Sequence, residues 1–378
     1  MTVDDRTTVA RGARRVNASA PRRSAAVNSH RLPRRATGAA VLLGLALTSL
    51  VGCGNDEAAV AAEAPATSSS PAPPPPPPIL WPLTGLESGA VLPHPALAVK
   101  IENSVDSRPQ TGLNSADIVW EEVVEGGITR FVAVYHSVLP TEVGPVRSVR
   151  PMDPAIAAPM HGLFAFSGGQ GGYVSAVADA GMQVLSFDNG DDGFYRIDSR
   201  DAPHNVYAAP LTLTAQADAA HQADPGAQFD LAATPDQATA VTAGTPAGTL
   251  ALTLSGLSHP QWTWSPADAS WLRSEGTTPA VEADGSLLAA TNVVVVRVDV
   301  VSTGATDPAG NPVPETVLEG RGEALVATGG RTLPVTWVKN SAADRLVLLD
   351  AAGNPVLLGP GRTWVELVPN GGGAVTVG

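Results

Sequence analysis

The run Asp117-Ile118-Val119-Trp120-Glu121-Glu122-Val123-Val124-Glu125-Gly126-Gly127-Ile128-Thr129-Arg130-Phe131-Val132-Ala133-Val134-Tyr135-His136-Ser137 holds two β-rich segments around a Glu-Gly-Gly turn signal. β-branched and aromatic residues favour strands, and a glycine pair supplies the positive φ that a tight hairpin needs. A two-residue turn at Gly126-Gly127 sets Val123 opposite Arg130. Glu121, Glu125 and Arg130 then share one sheet face, with the glutamates diagonal to the arginine. A register shifted by one residue brings Glu122 to that face instead. Two readings stay open for these charges. One is a cross-strand ion pair on a solvated face. The other is a carboxylate pair lining a pocket with Arg130, which is the equipment of acid/base chemistry on glycans.

Around the hairpin the sequence alternates strand, loop and helix signals. Leu97 to Ile101 and Leu163 to Phe166 read as short strands, and Gln183 to Phe187 as another. Asp153-Pro154 starts a helix reaching about His161, and Tyr173 to Ala180 forms a second. A third is expected near Leu211 to Ala220. After about Pro235 the pattern becomes mostly β, with runs at Thr249 to Leu254, Gln261 to Trp264, Asn292 to Val301, Gly322 to Ala327, Leu333 to Lys339, Arg345 to Leu349, Val356 to Leu358 and Thr363 to Val368. Gly, Pro and Asn punctuate these runs. The Asp-Pro-Ala-Gly-Asn-Pro and Asp-Ala-Ala-Gly-Asn-Pro turns at 307–312 and 350–355 lack calcium-loop spacing.

The first 78 residues read differently. Basic Arg31-Leu32-Pro33-Arg34-Arg35 precedes an apolar run from Ala39 to Val51, which closes as Leu50-Val51-Gly52-Cys53. That is the order of a bacterial lipoprotein signal peptide, and the run is short of the ~20 residues of a spanning helix. Cys53, the only cysteine, is expected to become the lipidated N-terminus, carrying acyl chains such as palmitate and anchoring the protein to the outer face of the cell membrane. Arg34-Arg35 leaves twin-arginine export open beside the general route. Residues 54 to 78, ending in six prolines, read as a disordered polyproline linker. The expected organisation is therefore 1–52 signal peptide with an extended basic n-region, 53–78 lipidated cysteine and linker, 79–235 mixed N-terminal domain, and 236–378 β-rich C-terminal domain.

Charge narrows the partners. Nine of the 23 basic residues and two of the 36 acidic ones precede Cys53, leaving 14 against 34 and a net charge of −20 beyond it. Such a chain repels nucleic acid and polyanions, so anions are expected only at local basic clusters. Seven cations serve the first domain: Lys100, Arg108, Arg130, Arg147, Arg150, Arg196 and Arg200. Arg147 and Arg150 flank Ser148 in a Pro-bounded loop, and an arginine fork holds a carboxylate or phosphate in bidentate fashion. Pairing with nearby acidic side chains is the competing account. The Gly-rich turn Ser167 to Gly172 presents backbone N–H groups but is not a P-loop. His204 and Asn205 follow Pro203 in a third polar cluster, from Arg196 to Asn205. No zinc motif or nucleophile elbow occurs, and neither a metal nor a cofactor is expected.

Val99-Lys100-Ile101-Glu102-Asn103, Arg108-Pro109-Gln110-Thr111-Gly112-Leu113, Ala116 to Glu122, Glu125 to Phe131, Gly144-Pro145-Val146-Arg147-Ser148, Arg150-Pro151, Asp153 and Ala202-Pro203-His204-Asn205 together resemble the YerB-like lipoproteins. So do Asn292 to Val295, Gly320 to Ala324 and Gly361 to Trp364 in the second half. Trp120 stands where that family carries tyrosine. The resemblance spans nearly everything after the linker. It implies an α/β (α+β) fold, a layered mixed sheet followed by a β-rich domain, and supplies no reaction.

Three functions are carried forward. The first is a binding module for a carboxylated wall fragment or an envelope protein. The second is a hydrolase or transferase acting on glycan, with Glu121, Glu122 or Glu125 as acid/base, His204 as a further catalytic candidate, and Arg130 and Arg147 holding an anion. The third is a scaffold without a small-molecule site. Strand ends gather at one sheet edge in layered folds, so Arg130, Arg147 and His204 are expected to border one pocket, with Glu121 or Glu122 nearby.

Overall fold

The computed structural model describes residues 77–89 and 94–378. The expected signal peptide, Cys53 and the expected linker as far as Pro76 lie outside the described residues. The hairpin forms as two antiparallel strands, Ile118–Val123 and Thr129–Tyr135. Its turn holds three residues, Glu125–Gly127, closed by Val124 N–H donating to the Ile128 carbonyl at 2.9 Å. Gly126 and Gly127 both take positive φ, +69° and +77°, which only glycine adopts without strain. The extra turn residue moves the register by one. Glu122, not Val123, faces Arg130. The period of two then sends Glu121 and Glu122 to opposite faces.

Both faces of this hairpin are buried. On one face Ala98, Trp120, Val132 and Val134 pack with Met152, Ile156, Phe164 and Phe166. On the other, Val99, Val119, Phe131 and Ala133 pack with Leu250, Leu252, Trp262 and Trp271. The run reads as nearly continuously apolar for that reason.

One mixed sheet of twelve strands carries the hairpin. Leu97–Glu102 pairs antiparallel with Thr129–Tyr135 and parallel with Leu163–Phe166, beyond which lies Gln183–Ser186. On the other side Thr363–Pro369 runs parallel to both Ile118–Val123 and Asn292–Thr306. Gly320–Thr328 and Arg331–Lys339 continue the sheet outward. It therefore passes without a break from residues 97–186 to residues 292–369. A smaller sheet, built on Thr249–Thr253, Pro260–Ser265, Ser270–Glu275 and Ala374–Val377, covers the second face. Trp364 joins the two, with ring centroids 5.2 Å from Trp262 and 5.3 Å from Phe131.

Helices contribute less than an α/β class implies. The longest among the described residues, Gly171–Asp179, has nine residues. The helix expected from Asp153 to His161 is α-helical only over Asp153–Ala157; Ala158–Met160 tightens into a 3₁₀ turn and His161 turns left-handed at φ 49°. Pro159 removes a backbone donor at that break. The helix near 211–220 shrinks to Pro210–Thr214, and Val356 to Leu358 makes only bridge contacts. Strands at Ser270–Glu275, Pro312–Val317 and Ala374–Val377 were not foreseen. The fold is sheet-rich rather than α/β. No helix among the described residues is long and apolar enough to cross a membrane.

Candidate functional site

The strand pattern installs charge inside the sheet. Lys100 and Glu122 lie on the two strands that flank Thr129–Tyr135 and point to the first face, where Asp153 meets them from the helix start. The Lys100 ammonium is fully buried, contacting the Glu122 carboxylate and donating to Asp153 Oδ1 at 2.7 Å. Asp153 Oδ2 accepts from the Arg150 backbone N–H at 2.6 Å. Burial pushes the Glu122 carboxyl up to about 8, Asp153 adds repulsion, and Lys100 only partly offsets both. With the proton on Glu122 the triad is electrically balanced.

Beside it lies an arginine cluster. Arg130 stands opposite both Glu122 and Glu102 in the ladder, is 5% exposed, and donates from Nη1 to the Ser148 carbonyl at 2.8 Å. It has no carboxylate within ion-pair distance among the described residues, and its Nε is buried without a partner. Burial lowers its pKa to about 9, with Arg150 and Arg147 adding repulsion. Arg150 Nε donates to Glu125 Oε2 at 2.8 Å. Arg147 Nε sits 3.3 Å from Glu102 Oε2, and His204 Nδ1 lies 3.0 Å from both oxygens of the same carboxylate. Three guanidiniums thus share two carboxylates, Glu102 and Glu125. One positive charge is left over, and the most buried guanidinium is the one without a carboxylate.

The cluster adjoins a cavity of about 730 Å³ lined by Arg108, Arg200 and His204 together with the exposed Asp106 and Asp201. Arg200 donates to the carbonyls of Asp106 and Pro109 and makes no ion pair among the described residues. Arg196 donates to Asn205 Oδ1 and lies 4.8 Å over the Phe187 ring, and Asn205 Nδ2 donates to the Ile197 carbonyl. These bonds hold the loop that presents His204.

The second face carries a separate network. Arg273 is buried and donates to Glu121 Oε2 at 2.6 Å and to Glu275 Oε1 at 2.5 Å; Glu366 stands 3.9 Å from its Nε. Burial alone lowers the Arg273 pKa, but Glu121, Glu275 and Glu366 outweigh it and raise it. Burial and the neighbouring Glu121 push Glu366 well up, while Trp262 Nε1 donates to it at 2.8 Å. Arg108 reaches this network from the rim, with Nη2 3.1 Å from Glu275 Oε1 and Nε donating to Asn103 Oδ1 at 2.9 Å. Between them opens a second cavity of about 430 Å³, which Arg108 also lines.

The structure brings Arg130, Arg147 and His204 together around Glu102, with Glu122 and Lys100 on the same face. Of the three, only His204 lines the larger cavity. Glu121 is not part of that group, and Glu125 closes on Arg150. The expected shared face of Glu121, Glu125 and Arg130 is corrected by the three-residue turn. The glutamates of a Glu121–Glu122 pair are both fully buried on opposite faces, so they do not flank a common groove. Sequence reading did not single out Glu102, Asp153, Arg273, Glu275 or Glu366. Glu102 and Asp153 sat inside motifs already noted, while Arg273 gave no signal, because two of its three carboxylates, Glu121 and Glu366, are 152 and 93 residues away in the chain. Among the described residues no group of three or more His, Cys, Asp or Glu side chains is arranged to hold a metal.

Residues 83–223 match the family profile described as "Protein of unknown function (DUF3048) N-terminal domain", and residues 250–365 match its C-terminal domain. The chain belongs to the DUF3048 family. It is 39% identical over 133 residues to the Bacillus subtilis (strain 168) protein named "Putative lipoprotein YerB"; that stretch covers 34% of this chain and 39% of the relative. The crystal structure of YerB from Bacillus subtilis superposes with a TM-score of 0.66 at 23% identity, covering 79% of this chain and 99% of that one. That likeness shows a shared fold. The DUF3048 N-terminal match holds the Glu102 cluster, and the C-terminal match supplies Arg273 and Glu275.

Proposed function

We propose that this protein is an extracytoplasmic lipoprotein, anchored through Cys53, whose DUF3048 module binds a carboxylate-bearing ligand, either a wall fragment or a segment of an envelope protein. The observation that carries the reading is the surplus positive charge of Arg130, Arg147 and Arg150 over Glu102 and Glu125, buried beside a cavity lined by Arg108, Arg200 and His204 in an otherwise acidic protein. A buried, uncompensated guanidinium is costly in the empty protein and becomes favourable when an anion arrives. Asp106 and Asp201 are solvated, so water screens them more than it screens the half-buried cations.

The test uses detergent-solubilised full-length protein and purified wall fragments, with carboxylates either intact or amidated. Binding of the intact fragments, weakened at least tenfold by amidation and by Arg108→Gln, is the expected result. Equal binding of both forms contradicts it. The anchor has its own test: Cys53→Ser is expected to abolish metabolic labelling with a fatty-acid probe and to release the protein from the membrane fraction.

The acid/base reading has less support. Glu122 holds a proton near neutral pH, as a general acid must, but it is sealed by Lys100 and Asp153 with no solvent exposure.

A further inference from the structure

The 430 Å³ cavity is built by both halves of the chain. One wall comes from Asn103–Gln110, beside the Glu102 cluster, and the other from Arg273–Leu288. Its walls are largely apolar: Val105, Pro109, Pro279, Ala280, Val281 and Leu288. The charges at its floor cancel. Arg108 and Arg273 face Glu275 at the cavity and Glu121 behind it, while burial and the adjacent Glu121 push the Glu366 carboxyl well up. An ionic group gains nothing there, whereas an aliphatic one is removed from water. Arg108 forms part of the lining of this cavity and of the larger, polar one. Its Nε and Nη2 are engaged by Asn103 and Glu275, and its Nη1 makes no hydrogen bond among the described residues. The guanidinium therefore stands between two chambers of opposite character, with one donor group free.

We infer that the two cavities are adjoining subsites for one ligand: a short peptide whose free carboxylate meets Arg108 on the polar side and whose aliphatic side chain fills the chamber between the 103–110 and 273–288 segments. This rests on the carboxylate reading above and adds to it the class of ligand. It also assigns the C-terminal half a direct part in recognition, since four of the six apolar residues that line the chamber, Pro279, Ala280, Val281 and Leu288, belong to it.

Isothermal titration of the full-length protein in detergent separates the two claims. The probes are N-acetylglycine, N-acetylalanine and N-acetylleucine, which carry the same charge and differ in side chain. Affinity is expected to rise from glycine to leucine, by about fourfold per buried methylene. Thr278→Trp, an exposed residue at the mouth of the chamber, is expected to abolish that rise and leave N-acetylglycine binding unchanged, which also shows that the variant is folded. Binding of all three probes with equal affinity overturns the apolar subsite and leaves the carboxylate site standing. A side-chain dependence that survives Thr278→Trp also overturns it. Failure of every probe to bind, with the peptide Gly-Leu failing as well, overturns both.

Discussion

At the scale of single residues, the decisive fact is the opposite fate of two neighbours in sequence. Glu121 closes on Arg273 and Glu122 on Lys100, each with no solvent exposure. Glu122 carries a pH signature. Its folded pKa of about 8 exceeds the ordinary 4.5 of a glutamate, so the native state binds a proton that the unfolded chain releases between those values. The stabilisation from that proton is complete below about pH 4.5 and is lost as the pH rises through about 8. The slope is at most about 1.4 kcal/mol per pH unit. Urea unfolding of the wild type and of Glu122→Gln at pH 5, 6, 7 and 8 is expected to show a steeper fall for the wild type. Glu366 also has a raised pKa and remains in both proteins, so the difference between the two curves isolates Glu122. Parallel curves would show that the Lys100 triad does not titrate there.

Among the elements, the hairpin turn controls which glutamate meets which arginine. The strands themselves were legible from β-branched and aromatic composition. The register was not, because a Glu-Gly-Gly sequence suits a two-residue or a three-residue turn, and the choice depends on how the flanking strands lie against their neighbours. Gly126 has open space around its Cα but a φ of +69°. Gly126→Val is therefore expected to cost about 1–2 kcal/mol through backbone strain alone, read as a lower urea midpoint with an unchanged slope. The same variant weakens Glu122–Arg130 alignment only if the register slips, which would appear as a change in slope as well.

For the whole molecule, the Thr363–Pro369 strand is the link. It sits between Ile118–Val123 and Asn292–Thr306, and it brings Glu366 opposite Glu121. Residues 79–235 alone would lose that strand, the Arg273 partner of Glu121, and the Trp262–Trp364 packing on the second face. A protein ending at residue 235 is thus expected to lack a cooperative unfolding transition, while the longer chain melts its two family-matched regions together. Calorimetry checks both; two separate transitions in the longer chain would contradict this account.

What the sequence by itself determined was local and chemical. The lipoprotein-type order of basic, apolar, small residue and Cys53 is a contiguous pattern, and so are most strands, the loop motifs and the sign of the charge. Arg130, Arg147 and His204 were legible as candidates because each lies in a short polar cluster inside apolar sequence. Tertiary structure alone decided their partners. Glu102 is 45 residues from Arg147 and 102 from His204, and Arg273 is 152 residues from Glu121. Pairings at such separations follow from sheet order and register, which depend on packing both faces at once, and no local pattern encodes them.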